Sequence, residues 1–374
     1  MEKFLRELYK RYLNFRKFYF VLDAQKNSTS LGKIKIPKNV IEKFYDNYCK
    51  FSFLNFVYNL KTIIYSKNVF EFILKTATED WDLWPYLKFL EKEKIIKVNR
   101  NGTVSLLKKE ITKIIPAPLE EEQIKTRIEK KLKLKLKEND LVINLFKDKP
   151  FKVKGAWDQM PISQGSAIFV VKKILDYLPL NEKFLFVGDD DFISLILGIA
   201  SPEVESLVID ADQELLDCID NLAKKFNLKI KTKRVDITKE KHLESRFTGF
   251  LVNPVYTEDG VKEFVKFGKN QLGNDGGFGF LEVGDESIGN RFLFLQDFFA
   301  KNNLIIQELI KNKVYYPYIE LYKEDQTILK RLSSMIDEEV IKSSPKLGAS
   351  LYVFEYVPFK IKRINFKKPM YAYL

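Results

Sequence analysis

The sequence predicts an α/β fold in which an open, mostly parallel sheet follows a smaller α+β domain. Three observations predict it. From residue 151 onward, short unbroken apolar runs alternate with amphipathic helical segments, as in a parallel sheet covered by helices on both faces. Successive runs end on polar residues: Gly188-Asp189-Asp190-Asp191, Asp210-Ala211-Asp212, Asp236 and Asn253-Pro254-Val255-Tyr256. Ahead of them, two helical segments lead into a hairpin signal at Asn101-Gly102, where both residues tolerate positive φ.

Residues 1 to about 65 read as helices with aromatic-rich faces, broken by a polar stretch from Gln25 to Lys33. Asn68–Thr76 and Trp81–Glu93 follow as helices, with strands at Lys94–Val98 and Val104–Leu107. Helix, helix, hairpin is a winged-helix pattern. In DNA-binding versions the second helix enters the major groove. Here that helix carries Asp80, Trp81, Asp82, Trp84, Glu91 and Glu93, a surface that repels phosphate. The wing is therefore expected to serve dimerisation or substrate covering rather than nucleic-acid binding. Pro116 and Pro118 mark a boundary, which gives a first domain at 1–115 and a linking segment at 116–150. The Lys- and Glu-rich stretch from Glu120 to Glu138 reads as a solvated connecting helix or strand pair.

The third part, 151–374, holds strands at Phe184–Val187, Ser206–Ile209, Lys229–Val235, Gly249–Val252 and Phe278–Val283. Helices are expected at Ile193–Ala200, Glu214–Phe226, Val261–Leu272 and Phe292–Lys301. Leu304–Leu309 and Leu351–Tyr356 form a final antiparallel pair with a long excursion between them. This order matches a class I methyltransferase-like Rossmann domain.

Composition narrows the chemistry. The chain has 374 residues, 45% of them apolar, with a net charge of +12. Lysines are spread along its whole length, as on a thermophile-type surface. Two separated cysteines, Cys49 and Cys218, offer no disulfide framework, and a single histidine, His242, argues against a catalytic zinc or a Ser-His-Asp triad. No metal is expected. The N-terminus lacks an apolar core of signal-peptide length, and the longest apolar run, Phe192–Ala200, is far short of a bilayer span. A cytoplasmic protein without membrane contact is expected.

Open α/β sheets bind ligands beyond the carboxyl ends of their strands. An acid ending the second strand can accept both hydroxyls of a ribose, so Asp210 is the expected ribose ligand. Asp236 suits an adenine amino group. Asn253 and Tyr256 stand where the reacting group must sit. Those parts describe an adenosyl-sulfonium donor. In such a turn a second glycine usually follows Gly188 so that backbone can approach an anionic or zwitterionic group. Here acids stand instead. At an effective dielectric near 20, one like-charge contact at 4 Å costs about 4 kcal/mol, so the carboxylate of S-adenosylmethionine is disfavoured. Decarboxylated S-adenosylmethionine ends in an ammonium alone, which the same acids attract. Gly188 and Asp189 are expected to line the donor pocket, while Asp190 is either a ligand or a helix cap.

Together with the upstream Asp158-Gln159, the Gly188–Asp191 motif, Asp210–Asp212 and Asn253-Pro254-Val255-Tyr256-Thr257-Glu258-Asp259-Gly260 resemble the branched-chain polyamine synthases, the N4-bis(aminopropyl)spermidine synthases of thermophilic archaea and bacteria. The likeness spans roughly residues 68–357. It implies an aminopropyltransferase that moves the aminopropyl group of decarboxylated S-adenosylmethionine to the secondary amine of spermidine, with no cofactor beyond that co-substrate. It also implies that Asp191 is the key acid, that Gln159 belongs to the donor side and Asp158 to the acceptor side. This chain departs from the family motif Asp-Pro-Pro-Tyr-Thr at Asn253 and Val255, and it lacks the family's Thr, Glu and Arg residues in Met160–Ala167.

The reaction implied is attack by a neutral amine on the carbon beside sulfonium, with a carboxylate to take the proton or hold the amine in line. Asp191 is expected to face that amine. A polyamine is a row of ammonium groups, so its path should be acidic. Asn253, Tyr256, Glu258 and Glu282 are expected along it, with Asp259, Asp285 and Glu286 in loops on the same sheet edge. A homodimer through the N-terminal region is expected. Two alternatives stand beside this reading. One is an S-adenosylmethionine-dependent N-methyltransferase on nucleic acid, since Asn253–Tyr256 is similar to the Asn-Pro-Pro-Tyr motif that stacks a flipped base. The other is a non-catalytic winged-helix regulator that senses polyamine or nucleoside.

Overall fold

The computed structural model describes residues 2–30, 37–50, 52–76, 80–137, 142–146, 154, 159–178, 183–317, 323–343 and 345–361. The chain divides into two compact units, Met1–Ala117 with Val357–Leu374, and Pro118–Tyr356.

The first unit contains helices α1 (Glu2–Ser30), α2 (Lys38–Phe44), α3 (Phe53–Tyr65), α4 (Val69–Thr76) and α5 (Asp80–Lys92). Strands β1 (Ile96–Val98) and β2 (Val104–Leu106) follow as an antiparallel hairpin. The aromatic faces expected from the sequence meet in its core. The ring of Tyr12 lies 5.1 Å from Phe56, 5.3 Å from Tyr86 and 5.2 Å from Phe89, centroid to centroid. Helix α1 continues to Ser30, across much of the stretch expected to break it. The hairpin turn also differs from the two-residue turn expected. Asn99 N–H still pairs with the Thr103 carbonyl, so the loop has three residues, and Gly102 alone takes positive φ, at +80°. A three-residue loop ending in a left-handed glycine is the next most common way to close a hairpin. Helix α5 is less openly acidic than its sequence. Glu93 pairs with Arg11 and Glu91 accepts the Val98 N–H, while the side chains of Asp80, Trp81 and Asp82 lie outside those described.

The second unit opens with α6 (Glu121–Leu132) and α7 (Val142–Leu145). Helix α6 buries Ile124 and Ile128 and leaves its Lys and Glu residues outward, so the charged stretch is an amphipathic helix. The sheet and its coverings follow in chain order: α8 (Gln164–Tyr177), β3 (Lys183–Val187), α9 (Ile193–Ala200), β4 (Glu205–Asp210), α10 (Gln213–Lys225), β5 (Ile230–Arg234), β6 (Gly249–Val252) and α11 (Glu258–Asn270). Then come β7 (Gly277–Val283), α12 (Asp285–Ile288), α13 (Phe292–Lys301), β8 (Leu304–Pro317), α14 (Lys323–Leu332), α15 (Glu338–Ser343) and β9 (Pro345–Tyr356).

Seven strands form one sheet in the order β5-β4-β3-β6-β7-β9-β8. The first five are parallel, and β9 is antiparallel to both β7 and β8. The antiparallel pair read from the sequence is therefore present, with β9 inserted between β7 and β8. Phe184 to Val187 of β3 are all buried, which is why this strand reads as one apolar run. Chain direction along the sheet reverses at β3, between β4 and β6. That switch point opens a crevice beyond the strand ends.

Candidate functional site

The turn after β3 sets the geometry. Gly188 has φ +78°, and its N–H donates to the Ile209 carbonyl at 2.9 Å. A Cβ there would lie 3.9 Å from Asp210 Oδ2, so space is available, but the left-handed backbone strains any other residue. The three acids that follow diverge. Asp189 turns inward and receives the Ser194 N–H on both oxygens at 3.3 Å, at the start of α9. Asp190 Oδ2 accepts the Met160 N–H at 2.9 Å. Asp191, 2% exposed, accepts the Ile162 N–H on Oδ1 at 2.7 Å and the Asn253 amide on Oδ2 at 2.9 Å. Asp190 and Asp191 thus fasten the segment ahead of α8 onto the strand ends. Burial raises the pKa of Asp189 and Asp191 well above the usual carboxylate range. For Asp191 the charges of Asp190 and then Glu282 add to it.

At the end of β4, Asp210 Oδ1 accepts the Asp212 N–H at 2.7 Å, and burial pushes its pKa up to about 6. Asp212 caps α10 by accepting the Glu214 N–H. Its carboxylate also takes Lys154 Nζ at 2.9 Å and Gln159 Nε2 at 3.0 Å. Burial works against the ionised form of Asp212, but those donors outweigh it and its pKa falls. Asp236, beyond β5, is pulled down to about 2 by the Lys239 ammonium and by Thr238.

At the end of β6, Asn253 sits between two groups. Its Nδ2 donates to Asp191, and its Oδ1 accepts the Tyr316 hydroxyl at 3.4 Å. The Tyr256 hydroxyl donates to that of Tyr316 at 2.9 Å. Burial raises both phenol pKa values. Glu282, near the end of β7, is fully buried, and neither carboxylate oxygen has a hydrogen-bond partner among the described residues. Burial, then the charges of Asp190 and Asp189, push its pKa up to about 8.

These strand ends enclose a cavity of about 480 Å³, in the size range of small-molecule sites. It brings together Gln159, Gly188, Asp210, Asp236, Asn253 and Tyr256, with Asp190 as a lining acid. Apolar walls come from Val187, Ile209, Ile237 and Phe264. Three aspartates line it and, among the described residues, no lysine or arginine does.

Five expected residues stand elsewhere. Asp189 belongs to the start of α9. Asp191 lies behind Asn253 rather than facing the cavity, because the Ile162 N–H and the Asn253 amide occupy the two sides through which it would point. Glu258 opens α11, where a carboxylate suits the helix N-terminus, and pairs with Lys262. Glu282 is sealed beneath the cavity. Asp285 accepts the Ser350 and Tyr352 hydroxyls, tying the end of β7 to β9. Asp158 lies outside the described residues. Conversely, Tyr316, Ile237 and Phe264 line the cavity without having been expected there. Among the described residues, no group of three or more His, Cys, Asp or Glu is arranged to hold a metal ion, and no helix is long and apolar enough to cross a membrane.

Residues 139–362, more than half of the chain, match the branched-chain polyamine synthase A C-terminal domain. The chain belongs to the branched-chain polyamine synthase family. Two curated relatives come from Methanocaldococcus jannaschii. An uncharacterized protein is 33% identical over 143 residues, 38% of this chain and 36% of that protein. The N(4)-bis(aminopropyl)spermidine synthase is 28% identical over 142 residues, 36% of this chain and 40% of that protein. The chain thus covers well under half the length of these relatives. Among solved structures, the branched-chain polyamine synthase of Thermus thermophilus, in complex with N4-aminopropylspermidine and 5'-methylthioadenosine, matches with a TM-score of 0.46 at 19% identity, over 91% of this chain and 93% of that one. Its C9 mutein, with the same ligands, gives 0.49 at 18% identity, over 87% and 94%.

Proposed function

We propose that this protein is an aminopropyltransferase, moving the aminopropyl group of decarboxylated S-adenosylmethionine onto a polyamine amine, with spermidine N4 as the acceptor and branched polyamines as products. The observation that carries the reading is the cavity lining: Asp190, Asp210 and Asp236 with no lysine or arginine among the described lining residues. Such a lining favours a ligand with an ammionium end over one that also carries a carboxylate. Family membership supports the same reaction class, and the names of the M. jannaschii synthase and of the ligands in the Thermus structures suggest the acceptor.

The donor's ribose fits Asp210 and its adenine fits Asp236 and Ile237, which leaves the sulfonium toward Asn253 and Asp190. The acceptor nitrogen attacks the propyl carbon bonded to sulfur. The carbon–sulfur bond breaks, its electron pair stays on sulfur to give 5'-methylthioadenosine, and the new ammonium releases one proton. Sulfonium is already a good leaving group, so positioning and charge supply most of what the site must add. Asp190 faces the cavity and is the group placed to take the proton. Asp191, behind Asn253, is the buried acid whose ionised form places negative charge under the developing ammonium. In this reading decarboxylated S-adenosylmethionine is a co-substrate and no resident cofactor takes part.

Mass analysis of products from the decarboxylated donor and spermidine tests the reaction, with calorimetry of both donor forms beside it. Masses raised by one or two aminopropyl groups, with 5'-methylthioadenosine released, are expected. Tighter binding of intact S-adenosylmethionine, or a methylated product, would overturn the proposal.

A further inference from the structure

Four side chains at the ends of three strands form one directed hydrogen-bond chain beside the cavity. The Tyr256 hydroxyl donates to the Tyr316 oxygen at 2.9 Å, the Tyr316 hydroxyl donates to Asn253 Oδ1 at 3.4 Å, and Asn253 Nδ2 donates to Asp191 Oδ2 at 2.9 Å. The order is not arbitrary. A hydroxyl has one proton, so once Tyr256 has donated to Tyr316, the proton of Tyr316 is available for the amide oxygen. An asparagine can present either end. With its oxygen held by Tyr316, its N–H group must face Asp191. Turned the other way, the amide oxygen would meet a carboxylate oxygen in a buried place, an uncompensated contact.

We propose that Tyr316 is a positioning residue for the reaction: it fixes the orientation of Asn253 and, with Tyr256 behind it, directs a hydrogen-bond donor at Asp191 that favours the charged form of this carboxyl against the burial that opposes it. The groups around Asp191 explain why such support matters. Asp189 and Asp190 flank it on its own turn and Glu282 approaches from β7, all of them carboxyls. The Ile162 N–H of the segment before α8 is the other donor. Tyr256 and Tyr316 complete the surroundings from the ends of β6 and β8. Every bond in the chain polarises the next toward Asp191, so the effect of the far hydroxyl reaches the carboxylate through Asn253. Tyr316 touches the cavity, but its part here is played through the amide. An aspartate at 253 could make no such donation while ionised.

This inference deepens the proposed function, and its first measurement does not depend on it. Protein labelled with 13C at aspartate carboxyls is titrated by NMR, with Asp191→Asn used to assign the Asp191 signal. In Tyr316→Phe the ring is kept and the donor lost, and the midpoint of Asp191 is expected to move upward. Tyr256→Phe, which removes only the end of the chain, should move it less and in the same direction. An unchanged midpoint in both folded variants overturns the proposal, as does an Asp191 that is uncharged in the wild type throughout its stable pH range. The kinetic arm rests on aminopropyl transfer. There Tyr316→Phe should lower kcat roughly tenfold, with KM for the donor within about twofold. A rise in KM with kcat unchanged would show that Tyr316 merely shapes the cavity. A wild type without transfer activity would overturn the reaction assignment while leaving the titration result standing.

Discussion

Gln159 Nε2 donates to Asp212 Oδ2 over 3.0 Å, while Gln159 Oε1 accepts the Lys154 N–H at 2.9 Å. One side chain thereby ties the segment ahead of α8 to the start of α10 and closes one wall of the cavity. Truncation by Gln159→Ala removes both bonds. It should cost about 1–2 kcal/mol in closing that wall, or roughly 5- to 30-fold in donor affinity. Calorimetry with the decarboxylated donor checks it, and affinity within twofold of wild type would mean the wall closes without Gln159.

Asp190 and Asp191 are neighbours in sequence with different surroundings, and their amide variants should separate. Asp190 lines the cavity, so Asp190→Asn should weaken binding of the cationic substrates. Asp191 lies behind Asn253, so Asp191→Asn should lower kcat by about 100-fold or more while donor affinity stays within a few-fold. Steady-state kinetics with separate donor titrations reads both. Loss of donor binding in Asp191→Asn would show that the charge acts on the donor rather than on the transfer step.

The layout of the strand ends was legible in the sequence because parallel strands buried on both faces leave unbroken apolar runs, and the polar residue that ends each run is plain. Asp210, Asp236, Asn253 and Tyr256 were found that way, and all four line the cavity. Which way each carboxylate turns was not legible. Asp189 and Asp191 share the motif with Asp190, but backbone N–H groups of α9 and of the segment before α8 take them inward, and those partners lie outside the motif. Tyr316 escaped for a different reason. The register of β8 against β9 shifts between Ile310 and Val314, so the alternation breaks at a lysine-rich stretch and the strand reads as ending at Leu309.

Donor binding should depend on pH through Asp210. Its carboxyl, lifted to about 6 by burial, must be ionised to accept two ribose hydroxyls. Above that value the acceptor is present. Below it the proton must be removed before binding, so affinity should fall by up to about tenfold per pH unit as pH drops. Calorimetry between pH 5 and 8 reads the slope, and Asp210→Asn should flatten it along with weakening the binding. A donor affinity that is level from pH 8 to pH 5 in the wild type would remove Asp210 from the ribose site.

Glu282 gives a stability prediction of opposite sign to most carboxylates. Its pKa stands at about 8 in the fold, against about 4.3 for an ordinary glutamate, because the buried group has no hydrogen-bond partner among the described residues and faces Asp190 and Asp189. Between those two values the folded chain holds a proton that the unfolded chain releases. Stability is therefore present in full at the acidic end of that window and is lost as pH rises, by at most about 1.4 kcal/mol per unit, levelling off above about 8. Glu282→Gln keeps a neutral side chain of the same shape at every pH, so the variant should lack this slope. Its melting temperature, followed from pH 5 to pH 8, should gain on that of the wild type as pH rises. Asp189 and Asp191 also have raised pKa values and tilt both proteins in the same direction, so the difference between the two curves reads Glu282 together with its effect on Asp191. Parallel curves would mean that Glu282 is ionised in the fold.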